Sequence, residues 1–231
     1  YGYEASPLVL AFVLGRMAEE SLRQSLLLSH GHFDILFTRP LATTLLVIAL
    51  TGWVDAGDAG ALAATMLAAQ LDGGRVFATY DISDIVDLQQ TRPTVSLVDG
   101  TTRAIEWPAI ELTAGRAGRD VVVMIGPEPS LRWPSFVADL VGLAQQLGVT
   151  QAFGLGGMPS VVSHRRPTTV LATATSHSLA QEVGAMRTDY QGPTGVQTGL
   201  QVALGDAGIP TVGLWAQVPH YVAGTPSPTA I

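Results

Sequence analysis

A strand–helix–strand pattern occupies residues 121–155, VVVMIGPEPSLRWPSFVADLVGLAQQLGVTQAFGL. The apolar run at 121–125 predicts a buried strand, and residues 133–147 predict a helix that ends at Gly148. Residues 150–155 predict a second strand. Two apolar runs joined by a helix of this length pair in parallel through a right-handed crossover, so the pattern predicts a βαβ unit.

Two further runs, at residues 45–50 and 211–218, are apolar on successive residues rather than on alternate ones. Strands of a parallel sheet are covered by helices on both faces and therefore appear as continuous apolar runs. We expect these runs and the two strands above to share one largely parallel sheet, so the sequence predicts an α/β fold. Other expected elements are strands at 75–80 and 168–173, and helices at 58–71, 177–187 and 195–206.

A β-hairpin is predicted at residues 94–107, where two extended runs flank Asp99-Gly100. This dipeptide is typical of a two-residue hairpin turn, in which glycine supplies a positive φ. The expected cross-strand pairs are Val95 with Ala104, Ser96 with Arg103, and Leu97 with Thr102. With this pairing neither face is purely apolar, so we do not expect the hairpin to lie on a core. Two interpretations are open, a protruding arm at a subunit interface or a peripheral ribbon.

The chain is expected to divide into an N-terminal helical segment at residues 1–40, packed on the core, and an α/β core domain at residues 41–231. Ser6-Pro7 has the form of a helix start, because serine caps the first amides and proline suits the first turn. Residues 225–228, TPSP, resemble another helix start shortly before the sequence stops. We therefore expect a C-terminal helical lid that is truncated or missing.

The composition excludes several classes of function. There is no cysteine and no lysine, which excludes thiol nucleophiles, iron–sulfur clusters, a lysine Schiff base with pyridoxal phosphate, and a P-loop. We expect no cofactor. A net charge of −7 disfavours nucleic-acid binding. No apolar run is long enough for a membrane span, so we expect a cytoplasmic protein without membrane contact.

Charged residues make up 13% of the chain, against about a quarter in typical domains. This low share favours an interior-rich fold, or a protomer whose surface is partly covered by copies of itself.

Two carboxylates follow directly on predicted strands. Asp55 lies in Gly52-Trp53-Val54-Asp55-Ala56-Gly57, and Glu128 lies in Gly126-Pro127-Glu128-Pro129. Ligands of parallel sheets bind beyond the carboxyl ends of the strands, so the pair suits acid–base chemistry or a divalent metal. The alternative is structural, with Asp55 capping the next helix and Glu128 holding its proline-flanked turn. Close approach of the two carboxylates in a dry cavity would raise the pKa of Glu128.

Two histidines complete the candidate site. His164 follows a glycine-rich turn and precedes Arg165 and Arg166, which together suit a phosphate or carboxylate. A solvated or interface arginine pair is the alternative. His220 follows the last strand and is either a ligand residue or a structural imidazole. Trp53, Trp215 and Tyr221 form either an aromatic wall or part of the core. The predicted ligand-binding residues are Trp53, Asp55, Glu128, His164 and His220, with no catalytic residue and no metal site assigned.

An ordered set of motifs resembles the bacterial branch of the proteasome-assembly-chaperone family, the proteasome assembly chaperone 2-like proteins. The motifs are the segments around Asp55 and Glu128, Arg92-Pro93-Thr94, Gly192-Pro193-Thr194-Gly195, and Leu214-Trp215-Ala216-Gln217-Val218-Pro219-His220-Tyr221. The resemblance covers residues from about 45 to the end. It implies a three-layer phosphorylase/hydrolase-like core, self-association and a helical C-terminal segment over the strand ends. It implies no reaction.

These observations support two hypotheses about function. The preferred one is a homo-oligomeric protein, a trimer by preference, that binds a small ligand or serves in assembly, with a pocket at the carboxyl ends of the strands. The alternative is a hydrolase or phosphorylase that acts on a small nucleoside-like or peptide-like substrate. Whether the chain is an enzyme is left open.

Overall fold

A seven-stranded mixed sheet forms the centre of the described structure. The computed structural model describes residues 44–186, 190–222, 224 and 226, which lie within one compact unit at 42–231. The strands are β1 Thr44–Thr51, β2 Asp72–Tyr80, β3 Thr94–Val98, β4 Thr101–Glu106, β5 Ile110–Arg116, β6 Asp120–Pro127, β7 Val149–Ser160, β8 Val170–Ala174 and β9 Thr211–Pro219. The helices are α1 Ala59–Ala69, α2 Trp133–Gln146, α3 His177–Glu182 and α4 Val196–Asp206.

The strand order is β2-β5-β6-β1-β7-β9-β8. The central four strands, β6, β1, β7 and β9, run parallel, with Val47 of β1 between Val123 of β6 and Phe153 of β7. The outer strands β2, β5 and β8 pair antiparallel. The prediction of one largely parallel sheet that holds all four apolar runs is confirmed.

Helices cover both faces of the sheet, which gives three layers. Along β1, Leu46, Ile48 and Leu50 contribute to a core that includes Phe136 of α2 and Leu200 of α4. The alternate β1 residues contribute to a second core on the other face, with Ala64 of α1. Burial on both faces explains why these strands are apolar on every residue. The predicted α/β class is confirmed.

Strand β5 was missed by the sequence prediction, which placed no element between residues 107 and 121. Ile110 and Leu112 are buried, whereas Glu111 between them is exposed. This alternation is typical of an antiparallel strand with one solvent-facing side and does not form a continuous apolar run. Strand β5 pairs antiparallel with β6 on one side and with β2 on the other, which extends the parallel centre of the sheet by two antiparallel strands.

Helix α3 is shorter than the predicted 177–187. Gly184 adopts a φ of +62°, and the backbone N–H of Ala185 donates to the carbonyl of Ala180 at 2.8 Å. This arrangement is a glycine-based helix closure, which the apolar pattern does not reveal. The other predicted helices agree with α1, α2 and α4 to within two residues at either end.

The predicted hairpin is present as β3 and β4, a two-stranded sheet of its own. Asp99 and Gly100 form the turn with φ of +50° and +72°. The predicted pair of Leu97 with Thr102, next to the turn, is confirmed. The two pairs farther from the turn were wrong: Val95 lies opposite Ile105, not Ala104, and Ser96 lies opposite Ala104, not Arg103, because a bulge interrupts the register between Ser96 and Leu97. The extra residue shifts all later β4 residues by one position.

The bulge changes the character of one hairpin face. It places Ile105 opposite Val95, and Leu97 lies two residues along the same strand. Residues directly opposite each other, and residues two apart, share a face of a two-stranded sheet. Val95, Leu97 and Ile105 therefore form one apolar stripe, contrary to the prediction of two mixed faces. Each of the three is more than half exposed, at 52%, 61% and 54%.

Two predictions fall on other parts of the chain. The predicted N-terminal helical segment at 1–40 lies outside the described residues, and so does most of the helix start predicted at 225–228. Within the ranges that the structure describes, no helix has both the length and the apolar composition needed to cross a membrane.

Candidate functional site

The carboxyl ends of the four parallel strands meet at one edge of the sheet. The loops that leave this edge carry Asp55 after β1, Glu128 after β6, His164 after β7 and His220 after β9. The parallel topology therefore brings to one edge all the segments from which the sequence predicted a ligand site.

Asp55 is buried and caps helix α1. Its Oδ1 accepts from the backbone N–H of Gly60 at 2.7 Å, and its Oδ2 accepts from Ala61 at 3.0 Å. Burial raises the pKa of Asp55 above its ordinary value, an effect that outweighs the hydrogen bonds from Gly60 and Ala61 and is reinforced by the charge of Asp58. The carboxylate satisfies amides that have no partner within the helix.

Glu128 caps a helix from which it is distant in sequence. Its Oε1 accepts from the backbone N–H of Val196 at 2.7 Å, at the start of α4. Its own N–H donates to the carbonyl of Thr51 at 2.8 Å, which ties the ends of β1 and β6 together. The residue at the N-cap position of α4 is Gly195, which has no side chain to accept this bond. The Glu128 carboxylate takes the place of the missing cap.

Two glycines make room for Glu128. Gly52 adopts a φ of +135°, and a Cβ there would lie 3.3 Å from the Glu128 Cβ. A Cβ on Gly195 would lie 2.5 Å from Glu128 Oε1 and would also overlap Cγ1 of Val54. A side chain at Gly195 would displace the carboxylate from the helix terminus, whereas one at Gly52 would be strained by its positive φ and would crowd the Glu128 Cβ.

Gln197 is a buried polar residue that the sequence analysis did not single out. Its Nε2 donates to the carbonyl of Leu155 at 3.0 Å, and its Oε1 accepts from the N–H of Leu50 at 3.4 Å. It therefore links α4 to the end of β1 and to the middle of β7. The only signal in the sequence is a glutamine beside Val196 at the start of an apolar helix face.

Both histidines contact the side chain of Tyr221. The backbone N–H of His164 donates to Tyr221 Oη at 3.0 Å, and His164 Nδ1 lies 2.8 Å from the same oxygen. Both imidazoles meet the tyrosine ring edge to face, with centroids 5.8 Å away for His164 and 5.4 Å for His220. Tyr221 therefore anchors the loop after β7 to the turn after β9.

An open groove of about 690 Å³ lies beside this group, between the loop at residues 161–169 and the end of β9. Its lining includes Ser163, His164, Arg165 and Arg166 from the loop and Gln217 from β9. Among the described residues that line it, none has an acidic side chain. Its volume lies within the usual range for small-molecule sites.

The tryptophans occupy different environments. Trp53 is 67% exposed. Trp215 is partly buried, and its Nε1 donates to Thr173 Oγ1 at 3.2 Å. A Cβ on Gly156 would lie 2.7 Å from Trp215 Cζ3, so the ring packs directly on the β7 backbone. Trp215 thus has the role of a packing residue on the sheet.

The candidate residues fall into two groups at the edge. Asp55 and Glu128 each bond a helix N-terminus, and His164 and His220 each contact Tyr221. His164 also lines the groove. That the predicted ligand-binding residues share one cavity stays a prediction. Among the described residues, no cluster of three or more histidine, aspartate or glutamate side chains is arranged to hold a metal ion.

Comparison with solved structures gives similarity over most of the chain. A proteasome-assembly chaperone homologue from Mycobacterium tuberculosis is 39% identical, with a TM-score of 0.74 and 80% of each chain covered. A PAC2 family protein from Streptomyces avermitilis is 41% identical, with a TM-score of 0.73, and the match covers 81% of this chain and 80% of that one. An archaeal proteasome activator from Pyrococcus furiosus, at 18% identity and a TM-score of 0.61, shares the fold.

Curated relatives match over a shorter stretch. Two uncharacterized proteins from Agrobacterium vitis are 43% identical to this chain over 49 residues. This stretch is 10% of the length of one protein and 20% of the other, so the match spans a small part of these relatives.

The model of the PAC2 family matches residues 49–231. The matched region contains both helix-capping carboxylates, the Gly195 that admits one of them, and the Tyr221 that joins the two histidines. With well over half of the sequence matched, and with solved relatives near 40% identity, the resemblance seen in the sequence motifs is confirmed: the chain belongs to the PAC2 family.

Proposed function

We propose that this chain is an assembly-type protein, which acts by binding other protein chains. Support comes from its family and from the description of its relative in Mycobacterium tuberculosis as a proteasome-assembly chaperone homologue. By the same reasoning we propose proteasome subunits as the class of protein partner.

The observation that carries the proposal is the exposed apolar stripe on the hairpin, formed by Val95, Leu97 and Ile105. Trp107, just beyond β4, is 63% exposed. Large apolar side chains grouped on one exposed surface are typical of protein–protein contact sites, since isolated ones are ordinary but contiguous ones leave apolar area in water. The hairpin is also a separate two-stranded sheet, so it presents this face outside the main core.

The occupant we propose for the stripe is a second copy of the chain, and we propose that the resulting homo-oligomer is a trimer. The 13% share of charged residues favours a protomer whose surface is partly covered by copies of itself. Burial of three large apolar side chains on each protomer would contribute several kcal/mol, at about 25 cal/mol per Å² of apolar surface.

The location that we propose for the protein is the cytoplasm.

The geometry of the carboxylates favours assembly over catalysis as the proposed role. Both oxygens of Asp55 and one oxygen of Glu128 accept hydrogen bonds from helix amides. A carboxylate with this structural use is less available for proton transfer to a substrate. We therefore give no catalytic role to either residue. Hydrolase or phosphorylase activity on a nucleoside-like or peptide-like substrate stays a prediction with no residue assigned to the reaction.

The proposed partner class is tested by mixing the purified chain with purified proteasome α and β subunits and measuring masses by size-exclusion chromatography with light scattering. We expect a new peak that contains the chain and at least one type of subunit. Separate elution of all components, at concentrations where the chain is folded by circular dichroism, would contradict the proposal. An unrelated acidic α/β protein of similar size serves as the control for nonspecific association.

A further inference from the structure

The groove beside β9 has a charge opposite to that of the protein as a whole. The chain has a net charge of −7, yet Arg165 and Arg166 are the charged side chains among the described residues that line the groove. A low-dielectric protein surface beside two guanidiniums concentrates positive potential in a concave site. This local reversal of sign indicates that the groove attracts an anion.

Arg165 and Arg166 both line the groove, and no carboxylate is among the described residues that line it with them. A tight turn fixes this part of the loop, since the N–H of Arg165 donates to Ser163 Oγ at 3.3 Å and the N–H of Arg166 donates to the Ser163 carbonyl at 3.1 Å. Within the described ranges, the salt bridges join other arginines, Arg116 with Asp120 and Arg132 with Asp84. Adjacent cations without such a partner repel each other, and a bound anion relieves that repulsion.

We infer that this groove binds a small phosphate monoester through Arg165 and Arg166. Two guanidiniums match the charge of a dianion, and the planar fork of each donates two parallel hydrogen bonds to phosphate oxygens. Ser163 Oγ accepts from Arg165, which leaves its own O–H to donate to a third oxygen. The groove volume of about 690 Å³ leaves space for an organic body attached to the phosphate.

The loop is positioned for this role by contacts outside the arginine pair. Tyr221 holds His164 through the 3.0 Å bond to its backbone N–H. On the far side of the groove, the N–H of Gln217 donates to the carbonyl of Thr169 at 2.9 Å. The loop is thereby attached at His164 to the turn after β9 and at Thr169 to β9 itself, so less ordering is needed when a ligand binds.

The test is calorimetric titration of the full chain with phenyl phosphate at low ionic strength. Benzoate, a carboxylate with the same ring, is the control ligand. We expect phenyl phosphate to bind and benzoate to bind at least tenfold more weakly. R165Q and R166Q remove one cation each while keeping a polar side chain of similar length. Each is expected to weaken binding about tenfold, and the double variant R165Q/R166Q to abolish it.

R119Q is the matched control variant, because Arg119 is an exposed arginine that precedes β6 at the opposite edge of the sheet. It makes the same charge change and is expected to bind within about twofold of wild type. Circular dichroism verifies that every variant is folded. The inference is overturned if folded wild type does not bind phenyl phosphate, if R165Q/R166Q binds it normally, if R119Q loses as much affinity, or if benzoate binds equally well. Binding of protein partners is measured separately, so failure of either proposal leaves the other intact.

Discussion

Glu128 Oε1 and the backbone N–H of Val196 are joined by a 2.7 Å hydrogen bond across 68 residues of sequence. The bond ties the end of β6 to the first turn of α4, while the N–H of Glu128 ties the same loop to Thr51 of β1. One residue thus connects two neighbouring parallel strands with the helix that covers them. These bonds give Glu128 a structural role at a position where the sequence also predicts ligand binding.

Replacement of Glu128 by alanine should lower the free energy of unfolding by about 1–2 kcal/mol. The reason is that Val196 loses its acceptor and the N-terminus of α4 loses a negative charge. E128Q should lose less, since its amide oxygen still accepts the bond. Urea denaturation gives both values. E111A, which removes an exposed carboxylate from β5, is the control and should change stability by about 0.5 kcal/mol or less.

An equal loss of stability in E128A and E111A would contradict the capping role of Glu128. If E128A has the same free energy of unfolding as wild type, Glu128 has no structural role, and its carboxylate is available for the ligand binding predicted from the sequence.

Gly195 and Gly199 should respond in opposite directions to the same substitution. A Cβ on Gly195 meets Glu128 Oε1 and Val54, whereas a Cβ on Gly199 has its nearest neighbour, Val137 Cγ2, at 4.0 Å. We expect G195A to destabilise by roughly 1–3 kcal/mol through overpacking. G199A should stabilise by roughly 0.5–1 kcal/mol, since alanine is the better helix former in the interior of α4.

Thermal and urea unfolding of the two variants provide the measurement. If G195A proved as stable as wild type, the close fit around Glu128 would be refuted. The comparison needs no assumption about function, because both glycines lie within four residues of each other at the start of one helix.

Asp55 gives stability a specific dependence on pH. Its pKa in the folded chain is raised above 3.8 by burial, so the folded state holds the proton more tightly than the unfolded state. The resulting contribution to stability is complete below the unfolded-state pKa and is lost as pH rises through the folded-state pKa. D55N does not titrate, so the difference in unfolding free energy, wild type minus D55N, should fall as pH increases above about 4 and then level off.

Urea denaturation across this acidic range measures the difference. A rise with pH would mean that the hydrogen bonds from Gly60 and Ala61 outweigh the desolvation of the carboxylate, and the assigned direction of the pKa shift would be wrong.

The parallel centre of the sheet could be predicted because burial on both faces leaves a continuous apolar run. Val121, Val122 and Val123 are all buried, and this pattern is visible without any partner strand. Strand β5 was not predictable in the same way, because Glu111 breaks its apolar pattern. The bulge in β4 was also hidden, since the choice between Arg103 and Ala104 opposite Ser96 depends on local backbone geometry.

The sequence predicts which loops meet at the carboxyl edge of the sheet, but not which hydrogen bonds their side chains form. Strand ends place Asp55 and Glu128 at the same edge by topology alone. The Asp55 cap is local, five and six residues from its donors, and it agrees with the structural alternative predicted from the sequence. The Glu128 cap was not foreseen, because it depends on how α4 folds back over the sheet. The signal in the sequence is Gly195 at the N-cap of α4, because a glycine there has no side chain to accept a bond from the helix amides and another residue must do so.

The central claim, that the hairpin stripe is an assembly surface, is tested most directly by sedimentation velocity on two matched variants. V95E/I105R places an opposite-charge pair on the apolar stripe, and S96E/A104R places the same pair on the other face of the hairpin. Directly opposite charges support the hairpin in both variants and leave the net charge unchanged. Wild type and S96E/A104R should sediment as trimers of the 24.2 kDa chain, and V95E/I105R as a folded monomer. A monomeric wild type, or a V95E/I105R variant that still forms trimers, would contradict the account.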